Sequence, residues 1–300
     1  MLGFVKEVKK MFDFFNTHRT FLTDCSSITP MIIGDKPSRL NVCGHHKRHF
    51  MTLVVALACK DGVVLAADGQ TLGYALQDGK TYSMVFTACK IDYLGDNILW
   101  GGAGLAELIQ KVETEFKKLP EEFKNSSLHD LKLLSWLRNT LHECNRPEIA
   151  AQMERGVPAD QIIGAPLLFV SYDEKYHDDA AKIWSLGSLS HGMFWEQYGC
   201  GVIGDATLHT HMALLNYRSN LRGRKPRSKS LTTDQGCLVA YRAVKDAIEA
   251  SPDRVGDPVD IWKIKKSEGP KQIVGDNKSK QEQAYLEWKE AEITALQNLI

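Results

Sequence analysis

The chain has 300 residues, of which 43% are hydrophobic and 25% are charged, and its formal net charge is +0. This composition is typical of a globular protein with one large domain, and it excludes an attraction of the whole chain to nucleic acid or to an anionic membrane. No apolar run approaches the roughly 20 residues of a membrane-spanning helix, and 7 cysteines at scattered spacings argue against a disulfide framework. We therefore expect a cytoplasmic protein.

Residues 1–51 differ in pattern from the rest of the chain and are predicted to be an N-terminal extension. A short amphipathic helix fits Val5–Phe15, and a polar run with one cysteine and three histidines precedes Met51. That run, Cys43 to His49, imitates a metal site, but no second group of ligands comes after it at zinc-finger spacing. The sequence therefore predicts no metal and no cofactor.

From Thr52 the pattern changes to short β-rich runs. Thr52–Cys59 and Val63–Asp68 are apolar at nearly every position and are separated by the turn signal Lys60-Asp61-Gly62. Strands without polar alternation are typical of a sheet that is covered on both faces. A second strand pair is predicted at Thr87–Leu94 and Asn97–Ala103.

The rest of the chain alternates between pairs of helices and strands. Apolar residues recur at steps of three and four in the helical segments, and β-branched and aromatic residues fill the strands. The predicted helices are 105–119, 129–144, 205–217, 233–250 and 278–299, and the predicted strands are 167–172, 181–186 and 259–264.

This order predicts an α+β fold, a four-layer α/β/β/α sandwich of two stacked antiparallel sheets, because helices outside both sheets would bury the apolar strands. The predicted domains are the extension 1–51, the sandwich domain 52–270 and a C-terminal helical tail 271–300.

The first hairpin brings two chemically useful residues to one end. Thr52 and Asp68 are equidistant from residue 60 in the turn, and residues equidistant from an antiparallel turn lie side by side. A hydroxyl at the head of one strand would therefore meet a carboxylate at the end of its partner.

These residues resemble the proteasome β-subunit family and the related peptidase subunit of bacterial ATP-dependent proteases, which are N-terminal-nucleophile hydrolases. The resemblance covers roughly Thr52 to Ile264, strongly over the first 55 residues and loosely beyond. It is carried by Thr52-Leu53-Val54-Val55-Ala56, Lys60-Asp61-Gly62-Val63-Val64-Leu65-Ala66-Ala67-Asp68, Lys90-Ile91-Asp92-Tyr93-Leu94, Gly101-Gly102-Ala103-Gly104-Leu105-Ala106 and Val202-Ile203-Gly204-Asp205-Ala206.

The resemblance implies a role for each matching residue. The family's N-terminal threonine nucleophile falls on Thr52, its aspartate on Asp68 and its lysine on Lys90. The glycine whose N–H stabilises the oxyanion falls on Gly104, and a further aspartate falls, with a shift of one residue, on Asp253. A threonine hydroxyl needs a base, and a free α-amine with a pKa of about 7.7–8.0 supplies one.

This chemistry requires Thr52 to be the first residue. One interpretation is that translation starts at Met51 and that removal of the methionine exposes Thr52. The alternative is a genuine extension that is removed by another route or retained. A retained extension favours a catalytically silent assembly subunit, and an amidase of the same superfamily that acts on a small molecule is a third hypothesis.

The resemblance also implies a peptide or unfolded-protein substrate and a homo-oligomeric ring, with an ATPase regulator as a possible partner. A basic run between Arg218 and Lys229 lacks aromatic residues and is interpreted as a solvated loop, so we expect no nucleic-acid partner. No membrane partner is expected.

Overall fold

The computed structural model describes residues 52–77, 80–158, 161–189, 191–195, 198–204, 210, 214, 231–252, 254–266, 268–273 and 276–297. All of them belong to one compact unit, Arg48–Ile300. The predictions for residues 1–51, for helix 205–217 and for the basic run therefore lie outside the described residues, apart from Thr210 and Leu214.

The described strands succeed one another along most of the chain. In order they are β1 Leu53–Cys59, β2 Gly62–Ala67, β3 Gln70–Gln77, β4 Lys80–Thr87, β5 Ile91–Leu94, β6 Ile98–Gly102, β7 Leu167–Tyr172, β8 Ala181–Leu186, β9 Gly192–Phe194, β10 Cys200–Gly204, β11 Asp260–Lys265 and β12 Gly269–Gln272. They form one five-stranded sheet in the order β10-β1-β2-β11-β12 and a second in the order β5-β6-β7-β8-β9. The strands β3 and β4 form a separate hairpin, and neighbouring strands are antiparallel throughout these described sheets.

Four longer helices lie among the described residues: α1 Ala106–Phe116, α2 Leu131–Glu154, α3 Thr233–Ala250 and α4 Asp276–Gln297. The start of α2 is capped by Asp130, whose side chain accepts hydrogen bonds from two backbone N–H groups. The start of α3 carries a capping box, in which Thr232 and Gln235 bond each other's backbone N–H. Both helices thus begin where their sequence supplies a capping side chain.

Three hydrophobic clusters mark the contacts between four layers. Along β1, Leu53, Val55 and Leu57 belong to a cluster shared with α3, whereas Val54 and Ala56 belong to a cluster between the two sheets. This alternation results from the period of two in a strand. A third cluster packs the second sheet against α1 and α2. The predicted four-layer α/β/β/α sandwich is confirmed.

The observed elements correct several sequence-based boundaries. The segment predicted as one strand, Thr87–Leu94, is in fact the end of β4 and the whole of β5, separated by residues 88–90, and the hairpin β3–β4 has no counterpart in the prediction. The predicted helix 129–144 continues to Glu154, through Pro147. The predicted helix is too short because its buried face continues with two polar residues, Asn145 and Gln152, which do not extend the apolar pattern.

Within the described residues, we find no helix with the length and apolar character that a membrane crossing requires.

Candidate active site

The hairpin β1–β2 has a register one residue away from the prediction. Val54 pairs with Ala67 and Cys59 with Gly62, so the turn consists of Lys60 and Asp61 alone. The residue opposite Asp68 is therefore Leu53, whose C=O accepts from the Asp68 N–H at 3.2 Å. Thr52 remains at the same end of the hairpin, one residue before this pair.

The Asp68 carboxylate is fully buried and accepts four hydrogen bonds. Its Oδ1 accepts from the Leu53 N–H at 2.7 Å and from Lys90 Nζ at 2.9 Å. Its Oδ2 accepts from the N–H groups of Gln70 and Gly256, both at 3.2 Å. Such a set of donors offsets the loss of hydration of a buried carboxylate and fixes its orientation. Asp68 thus ties the head of β1 to three other chain segments.

Lys90 lies in the short connection before β5, and its side chain is only 6% exposed. Besides Asp68, its Nζ donates to the C=O of Gln70. Burial lowers the pKa of Lys90, against the opposing effect of the Asp68 carboxylate. Burial also raises the pKa of Asp68, against the opposing effects of Lys90 and of the backbone donors. Burial thus acts against the charged form of each group, and the ion pair between them acts in its favour.

Thr52 lies directly before β1, is 6% exposed, and packs closely against Gly204 of β10. A Cβ atom on Gly204 would lie 1.9 Å from the Thr52 C=O oxygen and 3.4 Å from Ala103 Cβ, and the φ angle of Gly204 is +100°. Only glycine fits this backbone conformation without strain and at this distance. Because Gly204 has no side chain, the Thr52 backbone and Ala103, the residue before Gly104, can both lie close to it.

Gly104 lies two residues after β6 and has a φ angle of +104°. Both neighbouring N–H groups are bonded: Ala103 donates to the C=O of Pro166 at 3.0 Å, and Leu105 donates to the C=O of Gly164 at 3.3 Å. Among the residues that the structure describes, the Gly104 N–H has no backbone acceptor. In this loop the N–H of Gly104 therefore stands between two N–H groups, those of Ala103 and Leu105, that already have backbone acceptors.

The loop before β11 supplies a contact that the sequence analysis missed. Gly256, not a side chain of that loop, bonds Asp68, and a Cβ atom at Gly256 would lie 1.9 Å from Gln70 Oε1. In the sequence, the only sign of this contact is Gly256 itself, the glycine at the end of the segment Ser251-Pro252-Asp253-Arg254-Val255-Gly256. Asp253, the predicted additional site residue, lies outside the described residues.

A thiol and a second carboxylate lie next to Lys90 in the fold. The single S–H of Cys89 has two acceptors within reach of Sγ, Asp260 Oδ2 at 3.1 Å and the C=O of Ile91 at 3.2 Å. Although Cys89 is solvent-exposed, desolvation of its thiol, together with the hydrogen bond and charge of Asp260, raises its pKa to about 11. Cys89 is therefore a protonated thiol at neutral pH and a poor nucleophile.

The described side chains include no group of three or more histidine, cysteine, aspartate or glutamate residues arranged to hold a metal ion. The site brings together a hydroxyl-bearing residue at a strand end, a buried ammonium–carboxylate pair beside it, and a glycine N–H on the adjacent loop. Such groups can serve acyl transfer by a hydroxyl nucleophile, which also requires a base for the hydroxyl proton.

Comparison with known proteins yields a structural match. No protein-family model matches the chain, and no curated protein matches it. Among solved structures, the chain is similar to an Anbu (Gly-1) mutant from Hyphomicrobium sp. strain MC1, with 14% sequence identity and a TM-score of 0.56. The match covers 82% of this chain and 97% of that chain. At this identity the likeness shows the fold alone, the four-layer α/β/β/α sandwich of two antiparallel sheets described above.

Proposed function

We propose that this protein is a threonine-type peptidase of the proteasome β-subunit class, with Thr52 as its nucleophile once Thr52 is the first residue. The observation that carries the proposal is the buried ion pair of Lys90 with Asp68, which is hydrogen-bonded to the residue directly after Thr52. A buried ion pair seldom serves stability better than apolar residues of the same size would. At the head of a strand that a threonine precedes, it fits a catalytic role.

The proposed reaction starts with attack of Thr52 Oγ on the carbonyl carbon of a peptide bond. The free α-amine of Thr52 takes the hydroxyl proton, since its pKa of about 7.7–8.0 lies near the working pH. The Lys90 ammonium disfavours protonation of that amine, and Asp68 favours the charged lysine. The amine then passes the proton to the departing amine of the substrate.

The negative charge that develops on the substrate oxygen needs a fixed donor. The N–H of Gly104 is the proposed donor, since both of its neighbours are already bonded. Loss of such a donor costs about 3–4 kcal/mol of transition-state stabilisation in a well-studied protease. Collapse of the tetrahedral intermediate releases the amine product and leaves an ester on Thr52, which water hydrolyses to the acid and the free hydroxyl.

Exposure of Thr52 is the condition for this chemistry. Either translation begins at Met51 and the methionine is removed, or an extension of residues 1–51 is cleaved by another route. We propose that the protein works as a homo-oligomeric ring in the cytoplasm, with or without an ATPase regulator. A closed chamber would keep folded proteins away from the nucleophile. The resemblance of the Thr52 and Lys90 motifs to the proteasome β-subunit family supports this assembly.

The test is the intact mass of the purified protein with and without a peptide epoxyketone, a reagent that reacts with the amine and the hydroxyl of one N-terminal threonine. We expect a mass that begins at Thr52 and a shift of one adduct. The variant Thr52→Ala, which lacks the hydroxyl, should form no adduct. A mass that corresponds to a chain beginning at Met1, without an adduct, would contradict the peptidase proposal and favour the silent subunit.

Substrate class is tested with the same preparation. A panel of fluorogenic peptides should be cleaved by the protein and not by Thr52→Ala. Turnover of a small-molecule amide with all peptides untouched would instead identify the amidase.

A further inference from the structure

The helix α2 carries two buried side-chain amides. Asn145 and Gln152 are 1% and 6% exposed, and seven residues, about two helical turns, separate them. Both interact with one short piece of chain before β7, Ile163–Pro166, which we call the backing segment. Neither amide takes part in the chemistry described above.

Gln152 bonds both backbone groups of one residue of the backing segment. Its Oε1 accepts from the Ile163 N–H at 2.9 Å, and its Nε2 donates to the Ile163 C=O at 2.7 Å. Its Nε2 also donates to Glu148 Oε1 at 3.0 Å, which orients the amide within the helix. Gln152 thus bonds both the N–H and the C=O of Ile163, as the backbone of a neighbouring β-strand would.

Asn145 bonds the backing segment two residues further along. Its Oδ1 accepts from the Ala165 N–H at 3.1 Å, and its Nδ2 donates to the C=O of Ser188 at 3.2 Å. Between the two attachment points, a Cβ atom on Gly164 would lie 2.6 Å from Ser188 Cβ and 3.3 Å from Asn145 Oδ1. The helix face, Ser188 and the backing segment are therefore in close contact.

The other side of the backing segment holds the loop that contains Gly104. The C=O of Gly164 accepts from the Leu105 N–H, and the C=O of Pro166 accepts from the Ala103 N–H. Alternate residues thus bond α2 and the loop, as in an extended strand. A continuous series of hydrogen bonds and covalent links runs from the two amides to both neighbours of Gly104.

We propose that Asn145 and Gln152 are positioning residues, which set the place of the Gly104 N–H through the backing segment. The inference rests on the proposed function for its catalytic consequence, because Gly104 is there the donor to the substrate oxyanion. A displacement of about 1 Å at such a donor lowers a rate by about a hundredfold. Two amides that lie 20 and 11 residues before their partners in the sequence would therefore act on the reaction without touching the substrate.

The test uses Gln152→Met and Asn145→Leu, which keep the side-chain size and remove the amide. All variants are made in the full chain. The matched control is Ser171→Ala. Ser171 is also fully buried and accepts from a backbone N–H, that of Leu128 at 3.1 Å, but it lies at the other end of β7.

Two quantities are measured, and only one of them needs activity. The first is hydrogen–deuterium exchange at the amides of Ala103 and Leu105, which should become about tenfold faster in Gln152→Met and Asn145→Leu but not in Ser171→Ala. The second is peptide hydrolysis, for which kcat should fall by about 10- to 100-fold with KM nearly unchanged.

The outcomes separate this inference from the proposed function. Unchanged exchange at both amides in the two variants overturns the positioning role, whatever the activity. Faster exchange with an unchanged kcat overturns its relevance to the reaction. If the parent protein forms no epoxyketone adduct and cleaves no peptide, the proposed function has failed, and the exchange rates still decide whether the amides hold the loop.

Discussion

Lys90 Nζ lies 2.9 Å from Asp68 Oδ1 in an ion pair whose carboxylate is wholly inaccessible to solvent. The pair joins the connection before β5 to the end of β2, and through the Leu53 N–H it reaches the head of β1. Both charges have lost most of their hydration, so each depends on the other. Changes to one partner should therefore affect stability as well as activity.

Replacement of Lys90 by methionine should lower the free energy of unfolding by about 3–5 kcal/mol, because Asp68 would remain as a buried charge without its partner. Urea denaturation measures this. The double variant Lys90→Met/Asp68→Asn should lose less than the sum of the two single variants. Strict additivity would show that the two residues do not depend on each other in the folded protein.

Gly204→Ala tests the close approach at Thr52. The new Cβ atom would lie 1.9 Å from the Thr52 C=O oxygen, and the φ angle of +100° is unfavourable for alanine. We expect a loss of about 3 kcal/mol in the free energy of unfolding and loss of adduct formation at Thr52.

The matched control for that change is Gly156→Ala. Gly156 also has a positive φ angle, +73°, but a Cβ atom there would meet nothing within 4 Å. Only the backbone cost of about 1 kcal/mol should appear, with adduct formation intact. Equal losses in both variants would mean that the contact with Thr52 does not matter.

Alkylation of Cys89 should be slow in the folded protein. Desolvation of the thiol and the Asp260 carboxylate raise the pKa of this exposed residue from 9.0 to about 11, so at pH 8 the thiolate fraction falls by about a hundredfold. Peptide mapping after a pulse of iodoacetamide measures the rate, and the urea-unfolded protein is the control. Equal rates in both states would contradict the raised pKa.

The same shift predicts how stability depends on pH. The unfolded chain loses the Cys89 proton near pH 9.0, whereas the folded protein keeps it up to about pH 11. The folded state therefore binds more protons in this window, and the free energy of unfolding falls as pH rises through it. The variant Cys89→Ser should show a shallower decrease between these pH values, as measured by urea denaturation.

Asp130→Ala separates stability from activity on the helix that carries the two positioning amides. Asp130 Oδ1 accepts from the N–H groups of Lys132 at 2.9 Å and Leu133 at 3.3 Å and so caps α2. Its loss should cost about 1 kcal/mol of stability, because the helix start would lack its side-chain acceptor. Peptide kcat should not change, since Asn145 and Gln152 lie several turns away; a fall in kcat would link catalysis to helix stability in general.

Much of the fold is determined by local patterns in the sequence. The predicted boundaries of the helix Thr233–Ala250 and of the strands β7 and β8 are those that the structure has. Their signals are local: a capping threonine, an apolar period of 3.6 or 2, and turn residues at either end. For the same reason two apolar runs suffice to predict the hairpin β1–β2, although the predicted register is wrong by one residue.

Other elements lack such signals. The strands β9, β10 and β12 are absent from the prediction, and each is only three to five residues long. The hairpin β3–β4 is also missing from it, although the dipeptide Asp78-Gly79 in the sequence is typical of a hairpin turn. Short strands acquire their identity from the neighbour they pair with, which is distant in sequence.

By itself the sequence determined the four-layer architecture and the hairpin that places Thr52 and Asp68 at one end, and its resemblance to the proteasome β-subunit family selected Lys90 and Gly104 as candidate site residues. Only the tertiary structure decided which groups surround Asp68. The contact with Gly256 spans 188 residues, and it exists because β11 closes against β2. Local periodicity reports how a segment folds on itself, whereas contacts across such distances depend on how the sheets assemble, which no single segment encodes.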